Sequence, residues 1–224
     1  MDGLSNLQTV KDAVRGYLNK YTERAFSVLP DVEFSRILDI GCGSGVPTIE
    51  LAGLSKGKII AIDNDRSQLE LLEIKLKERG LENRIDTVYC SINDMKFDHE
   101  SFDLIWSEGS IFVVGFERGL KEWRHFLKPI GYMAIHDERG NVEKKLQLIA
   151  GCGYELLDHF ILDQHAWWNE YYSPLEREIQ KIRNRSSDES DIPVKFNKEL
   201  REIEMFKKDP EKYESAFFVL RKLT

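Results

Sequence analysis

Residues 37–47, ILDIGCGSGVP, set Gly41, Gly43 and Gly45 at the end of an apolar run that carries Asp39. Glycine lets the backbone turn sharply and lets a ligand approach without meeting a Cβ. A helix predicted from Pro47 brings unpaired N–H groups and the positive end of its dipole to the same place. Eighteen residues beyond Gly45 a second apolar run, KIIAID, ends in Asp63. A carboxylate at such a strand end can accept both hydroxyl hydrogens of a ribose. Glycines alone mark only a tight turn, but loop, helix start and terminal acid at this spacing predict a nucleoside-binding site.

Two ligand classes compete for it. A dinucleotide fingerprint, G-x-G-x-x-G counted from Gly41, needs glycine at position 46, where the chain has Val46. Asp39 also precedes the first glycine. An anion there sits poorly beside a pyrophosphate and suits a cationic sulfonium that carries an amino group. The electrostatics favour S-adenosylmethionine over NAD.

The elements that must position these groups are legible as an alternation. The runs RILDI (36–40), KIIAID (58–63), IDTVYC (85–90), FDLIWS (102–107) and YMAIHD (132–137) are short and β-rich. Between them PTIELAGLS, SQLELLEIKLKERG and ERGLKEWRHFLK read as helices, with Gly80 and Pro129 as their stops. Strands alternating with helices predict an α/β fold, a doubly wound and mainly parallel sheet covered on both faces. NVEKKLQLIAGCGY adds a helix, and YELLDHFIL (154–162) and ESAFFVLRK (214–222) add two closing strands. Leu7, Val10, Val14 and Leu18 fall at helical spacing. The expected organisation is a helical cap over 1–35, a binding domain over 36–162 and 214–224, and a helical lid insertion over 163–213. So long a connection between sheet neighbours points to a lid, with a solvated helical hairpin as the plainer alternative. Within it RSSDESD reads as a loop, and KFNKELREIEMFKKDPEKY as a solvated helix face.

Composition narrows the partners. With 42% hydrophobic residues among 224, the chain can bury a sizeable core. A net charge of −7 argues against a surface that coats nucleic acid. No apolar run approaches the roughly 20 residues that span a bilayer. The polar N-terminus and three unclustered cysteines, Cys42, Cys90 and Cys152, predict a cytoplasmic chain with free thiols. The expected partner is a small molecule, with neither nucleic acid nor membrane involved.

The motifs LDIGCGSG, AIDND, FDLIWSEGSI and LKPIGYMAI resemble, in order and spacing, those of class I S-adenosylmethionine-dependent methyltransferases over roughly residues 36–160. Within them the string IWSEG…GFERGLKEW is similar to a bacterial and archaeal small-molecule group related to the ubiquinone/menaquinone methyltransferases. The resemblance implies a seven-stranded, Rossmann-like sheet whose last strand is antiparallel. It implies that Asp39 orients the methionine ammonium, directly or through water. The loop Gly41–Cys42–Gly43 with Gly45 would underlie the amino-acid part of the cofactor, Asp63 would bind the ribose and Asn64 would flank the adenine. Many relatives have an Asp after the third strand for the adenine amino group; here the position is Ser91, followed by the N–H of Ile92. In LKPIGY, Ile130 stands where a glycine is commoner, and is read as a structural variation.

Methyl transfer from a sulfonium is an in-line displacement, for which the protein supplies alignment, desolvation and sometimes a base. The carboxyl ends of the parallel strands carry Ser107–Glu108–Gly109 and His136–Asp137. Ser107 is expected at the cofactor. Glu108 can pair with a cationic acceptor, take a proton or touch the methionine part; it can equally stabilise its loop. His136 is a second candidate base, although a lone histidine at a strand end is more often a framework group. Trp167 and Tyr171, four apart in HAWWNEYY, and Tyr21 in the cap can wall off an acceptor or box an amine, or can be core aromatics. No G-x-S-x-G elbow or Cys–His pairing is present, and five scattered histidines give no metal site. The expected activity is methyl transfer to a small acceptor. A catalytically silent cofactor-binding regulator or scaffold is the alternative, and an NAD-dependent oxidoreductase comes third.

Overall fold

The computed structural model describes residues 3–31, 33–185 and 192–224. The chain divides into two compact units, Met1–Asn19 with Leu162–Glu214, and Lys20–Ile161 with Ser215–Thr224. The expected cap over 1–35 is therefore shared out. Helix α1 (Gly3–Gly16) falls in the first unit, and α2 (Asn19–Ser27) falls in the second except for Asn19.

The second unit holds the sheet. Its strands are β1 (Arg36–Ile40), β2 (Lys58–Asp63), β3 (Ile85–Tyr89), β4 (Phe102–Glu108), β5 (Leu127–Glu138), β6 (Tyr154–Leu162, whose last residue is counted with the helical unit) and β7 (Ser215–Lys222). Their order in the sheet is β3-β2-β1-β4-β5-β7-β6. The pairs β1–β2, β1–β4, β2–β3 and β4–β5 are parallel, and β7 runs antiparallel to β5. Helices α3 (Val46–Leu54), α4 (Arg66–Arg79), α5 (Phe116–Trp123) and α6 (Val142–Gly151) make the crossovers and the connection to β6. This is the doubly wound architecture expected from the alternation.

Local chemistry explains the boundaries. Asp65 caps α4 by accepting the N–H of Ser67, and Gly80 ends it in the left-handed conformation. Leu69, Leu72 and Leu76, on one face of α4, are buried. The central strands are buried over nearly their whole length: β1 from Ile37 to Ile40, and β4 at Phe102 and from Leu104 to Ser107. Trp106 and Trp123 are both fully buried.

Two expectations need correction at β5. The helix predicted through HFLK stops at Trp123, and Leu127 already pairs with Phe102. Pro129 is thus not a helix stop but part of a strand. The register then shifts, so that Leu104 faces Tyr132. Ile130 absorbs the irregularity at φ +60, a left-handed conformation that a β-branched residue adopts at a cost.

The first unit is helical: α1, α7 (Gln164–Trp167), a π-turn (Trp168–Tyr172), α8 (Ser173–Arg185) and α9 (Ile192–Lys208). Leu7 and Val14 of α1 pack with Tyr172, Leu175, Ile179, Phe196, Ile203 and Phe206. Lys11 bonds Glu199 at 3.0 Å, joining α1 to α9. Residues 186–191 of the expected RSSDESD loop lie outside the described residues. Among the described residues, no helix is long and apolar enough to cross a membrane.

Candidate functional site

The glycine loop leaves β1 and hooks onto the end of β2. The N–H groups of Gly41 and Cys42 both donate to the Ile62 carbonyl, at 2.9 and 3.0 Å. Gly41 lies at φ +75, and a Cβ there would stand 2.4 Å from Ser110 Cβ. Gly45 lies at φ +82, and its Cβ would stand 2.2 Å from Leu72 Cδ1 on α4. Gly43 is different. It also has a positive φ, +53, yet nothing lies within 4 Å of where its Cβ would be. Two glycines thus fit the loop to its support, and the third faces open space where a ligand can approach.

Carboxylates sit at both ends of this loop. Asp39 is 2% exposed and accepts the Thr48 hydroxyl at 2.6 Å. Asp63 accepts the Gly43 N–H at 2.8 Å on one oxygen and the Asp65 N–H at 2.9 Å on the other. Lys75 of α4 pins the loop from outside through the Ser44 carbonyl, at 2.6 Å. The Cys42 thiol is pushed far up by burial, and then by the charges of Asp39 and Asp63. Asp39 and Asp63 together give the loop a negative local field, which suits a cationic ligand and opposes a pyrophosphate.

Further along the sheet edge, Cys90 N–H donates to the Asp63 carbonyl at 3.0 Å. There the chain turns with Asp94 N–H on the Ser91 carbonyl and Asn93 N–H on the Ser91 hydroxyl. Ile92 is partly buried against the core, and Asn64 is exposed beside Asp63. These three residues therefore flank the same edge as the loop.

Ser107, expected at the cofactor, is placed beneath the loop. It is fully buried and lies 2.7 Å from the Ser110 hydroxyl, which itself donates to the Ile40 carbonyl at 2.6 Å. Since the Ser110 hydrogen is used, Ser107 donates to Ser110. The pair ties β4 to β1 beneath Gly41, so Ser107 acts through the loop's support.

Glu108 is fixed by two neutral donors. The Trp106 indole N–H and the Thr22 hydroxyl both reach Glu108 Oε1 at 2.8 Å. Trp106 lies two residues back on the same strand face, and Thr22 comes from α2; both side chains are fully buried. In register beside Glu108 stands His136 on β5. His136 is 7% exposed, lies 2.7 Å from the Ser215 hydroxyl and stacks on Phe217 at 4.6 Å. Those contacts favour the framework reading of His136 over the base reading. Tyr21 reaches this region through Phe160, with ring centroids 6.5 Å apart.

Trp167 and Tyr171 belong to the helical unit's own aromatic cluster. Their rings meet edge-on at 5.9 Å, and both lie near Tyr172, whose ring is 4.3 Å from Phe206. Burial, with the Glu202 charge adding, pushes the Tyr171 phenol up to about 12. The packing reading of these two residues is the one the geometry carries. Sequence reasoning missed Thr22 and Ser110, which depend on tertiary contacts. Trp106 was discoverable, because strand alternation puts it on the face of Glu108. Among the described residues, no group of three or more His, Cys, Asp or Glu side chains is placed to hold a metal ion.

Comparison with known proteins follows the same line. A methyltransferase-domain family matches residues 37–131. The methyltransferase GfsG of Streptomyces halstedii is 29% identical over 119 residues, which are 53% of this chain and 43% of that protein. The chain thus spans less than half the length of that curated relative. Among solved structures, the [4+2]-cyclase SpnF aligns with a TM-score of 0.74 at 20% identity, covering 92% of this chain and 81% of that one. A methyltransferase from Geobacter sulfurreducens, solved with S-adenosyl-L-homocysteine, aligns with a TM-score of 0.73 at 15% identity, covering 91% and 90%.

Proposed function

From the methyltransferase-domain match over residues 37–131, we propose that the chain is a class I S-adenosylmethionine-dependent methyltransferase that transfers the cofactor's methyl group to a small-molecule acceptor. The observation that carries the reading is the open Gly43 between two loop-end carboxylates, Asp39 and Asp63. A sulfonium with an amino group is a cation that such a field attracts, and the glycine backbone leaves room for it. When bound, S-adenosylmethionine supplies the electrophilic methyl group.

In this reading Asp39 orients the methionine ammonium, and Gly41, Cys42, Gly43 and Gly45 line the amino-acid part. Asp63 takes the ribose hydroxyls while keeping its two backbone donors, since a carboxylate offers about four lone-pair positions. Asn64, Ser91 and Ile92 flank the adenine. Glu108 meets the acceptor, held still by Trp106 and Thr22, so that it aligns the nucleophile or takes its proton. Tyr21 borders the same region. Trp167 and Tyr171 keep the aromatic cluster of the helical unit rigid.

A second reading is a regulator or scaffold that binds the cofactor and moves no methyl group, since a fold does not fix its activity. Turnover separates the two. With a pooled metabolite extract, methyl transfer predicts release of S-adenosylhomocysteine above the protein-only rate. Cofactor binding without any such release would establish the silent reading. The Asp63→Ala variant should bind cofactor more weakly, and unchanged affinity would remove Asp63 from the site.

A further inference from the structure

We propose that Arg24 is a specificity-determining residue that holds an oxyanion group, carboxylate or phosphate, on the methyl acceptor. The proposal rests on the methyl-transfer reading above and adds the acceptor's chemical class. Four side chains of the sheet unit form a continuous stack. His136 lies on Phe217 at 4.6 Å and 20°, and Phe217 lies on Phe160 at 5.1 Å and 22°. The Arg24 guanidinium covers the far face of this ladder, with Cζ 3.8 Å from the Phe160 ring centroid. Stacking of this kind restricts a guanidinium and leaves its N–H edges to meet a partner in its own plane.

The charges are arranged for a ligand. Among the described residues, no ion pair or side-chain hydrogen bond satisfies the Arg24 guanidinium, and the residue is exposed. A planar fork with open donors matches the two oxygens of a carboxylate or phosphate. The other end of the ladder stands in register with Glu108, the group assigned to the reacting end of the acceptor. Helix α2 sets both ends, since its Thr22 holds Glu108 and its Arg24 lies on Phe160. The ladder is buried and serves as the rigid spacer between the two groups, so an acceptor that reaches from Glu108 to Arg24 would present its nucleophile toward the first and its oxyanion toward the second. The opposed charges fix which end reacts.

The test uses the full chain loaded with S-adenosylhomocysteine, titrated calorimetrically with matched probes. These are benzoate against benzamide, indole-3-acetate against indole-3-acetamide, and phenyl phosphate against phenol. At least one anion should bind ten times more tightly than its neutral counterpart. The pair that shows this identifies carboxylate or phosphate. Arg24→Gln should abolish the preference while S-adenosylhomocysteine affinity and melting temperature hold, and Arg24→Lys should restore it only in part. Equal binding of every pair, or a preference that survives Arg24→Gln, overturns the proposal and leaves the methyl-transfer reading standing. Failure of S-adenosylhomocysteine to bind the wild-type chain removes that reading, and the proposal with it.

Discussion

Replacing Gly43 by alanine separates what the loop does for the fold from what it does for the ligand. The new Cβ meets no protein atom within 4 Å, so no collision enters the stability change. What remains is the left-handed backbone at φ +53, which costs an L-residue about 1–2 kcal/mol. Alanine also narrows the unfolded ensemble relative to glycine, which offsets about 0.4–1 kcal/mol. The net loss is about 1 kcal/mol, a fall of about 2–4 °C in melting temperature for a chain of this size. Cofactor affinity should fall much further. A methyl group in the space the ligand occupies should weaken S-adenosylhomocysteine binding at least tenfold, about 1.4 kcal/mol or more. Gly41→Ala makes the contrast, because its Cβ would stand 2.4 Å from Ser110 and disturb the bond to Ile40. It should destabilise the fold by about 3 kcal/mol or more through strain and overpacking together. Thermal melts and calorimetric titration of both variants read the two quantities separately. Wild-type affinity in Gly43→Ala would refute the reasoning, since the open face over the loop would then not be the ligand's.

Two further outcomes follow from groups away from the loop. Burial raises the Asp103 carboxyl, but hydrogen bonds from Lys128, Ser35 and the Arg36 N–H outweigh it and hold the group below its ordinary value. Because the folded value lies below the unfolded one, its stabilising contribution is present above the usual carboxylate range and is lost as pH falls through the folded value. Melting curves of wild type and Asp103→Asn should therefore differ at neutral pH, and the gap should close only as pH falls below the ordinary carboxylate value and through the depressed folded one; a gap independent of pH contradicts the assignment. Ile130→Gly should raise the melting temperature by about 2–4 °C, since it relieves a left-handed β-branched residue whose side chain is 53% exposed. A lowered melting temperature would show that Ile130 packing matters more than its backbone.

The sheet was legible because each strand announces itself locally. Apolar runs bounded by glycine, proline or charge mark the edges of RILDI and KIIAID without reference to the rest of the chain. The start of β5 was hidden for the same reason. Pro129 and Gly131 are turn signals, and only pairing with β4 keeps Leu127–Gly131 in the strand. The geometry of the glycine loop was readable because Asp39, the glycines and Asp63 are held together by adjacent strands. The surroundings of Glu108 were not. Thr22 lies 86 positions from Glu108, and the ladder joins β5, β6, β7 and α2, so no spacing encodes it. Trp167 and Tyr171 were placed by helical spacing alone, whereas Phe206 and Tyr213, far along the chain, decide what their cluster packs against. Ser107 was judged by its strand end, where burial and Ser110 determine what it does.

The central claim is that a negatively charged, glycine-lined loop selects a sulfonium nucleoside. Calorimetric titration of the wild-type chain with S-adenosylmethionine, and separately with NAD, tests it most directly. Saturable one-to-one binding of S-adenosylmethionine with no binding of NAD is the predicted result. Binding of NAD with none of S-adenosylmethionine would contradict it.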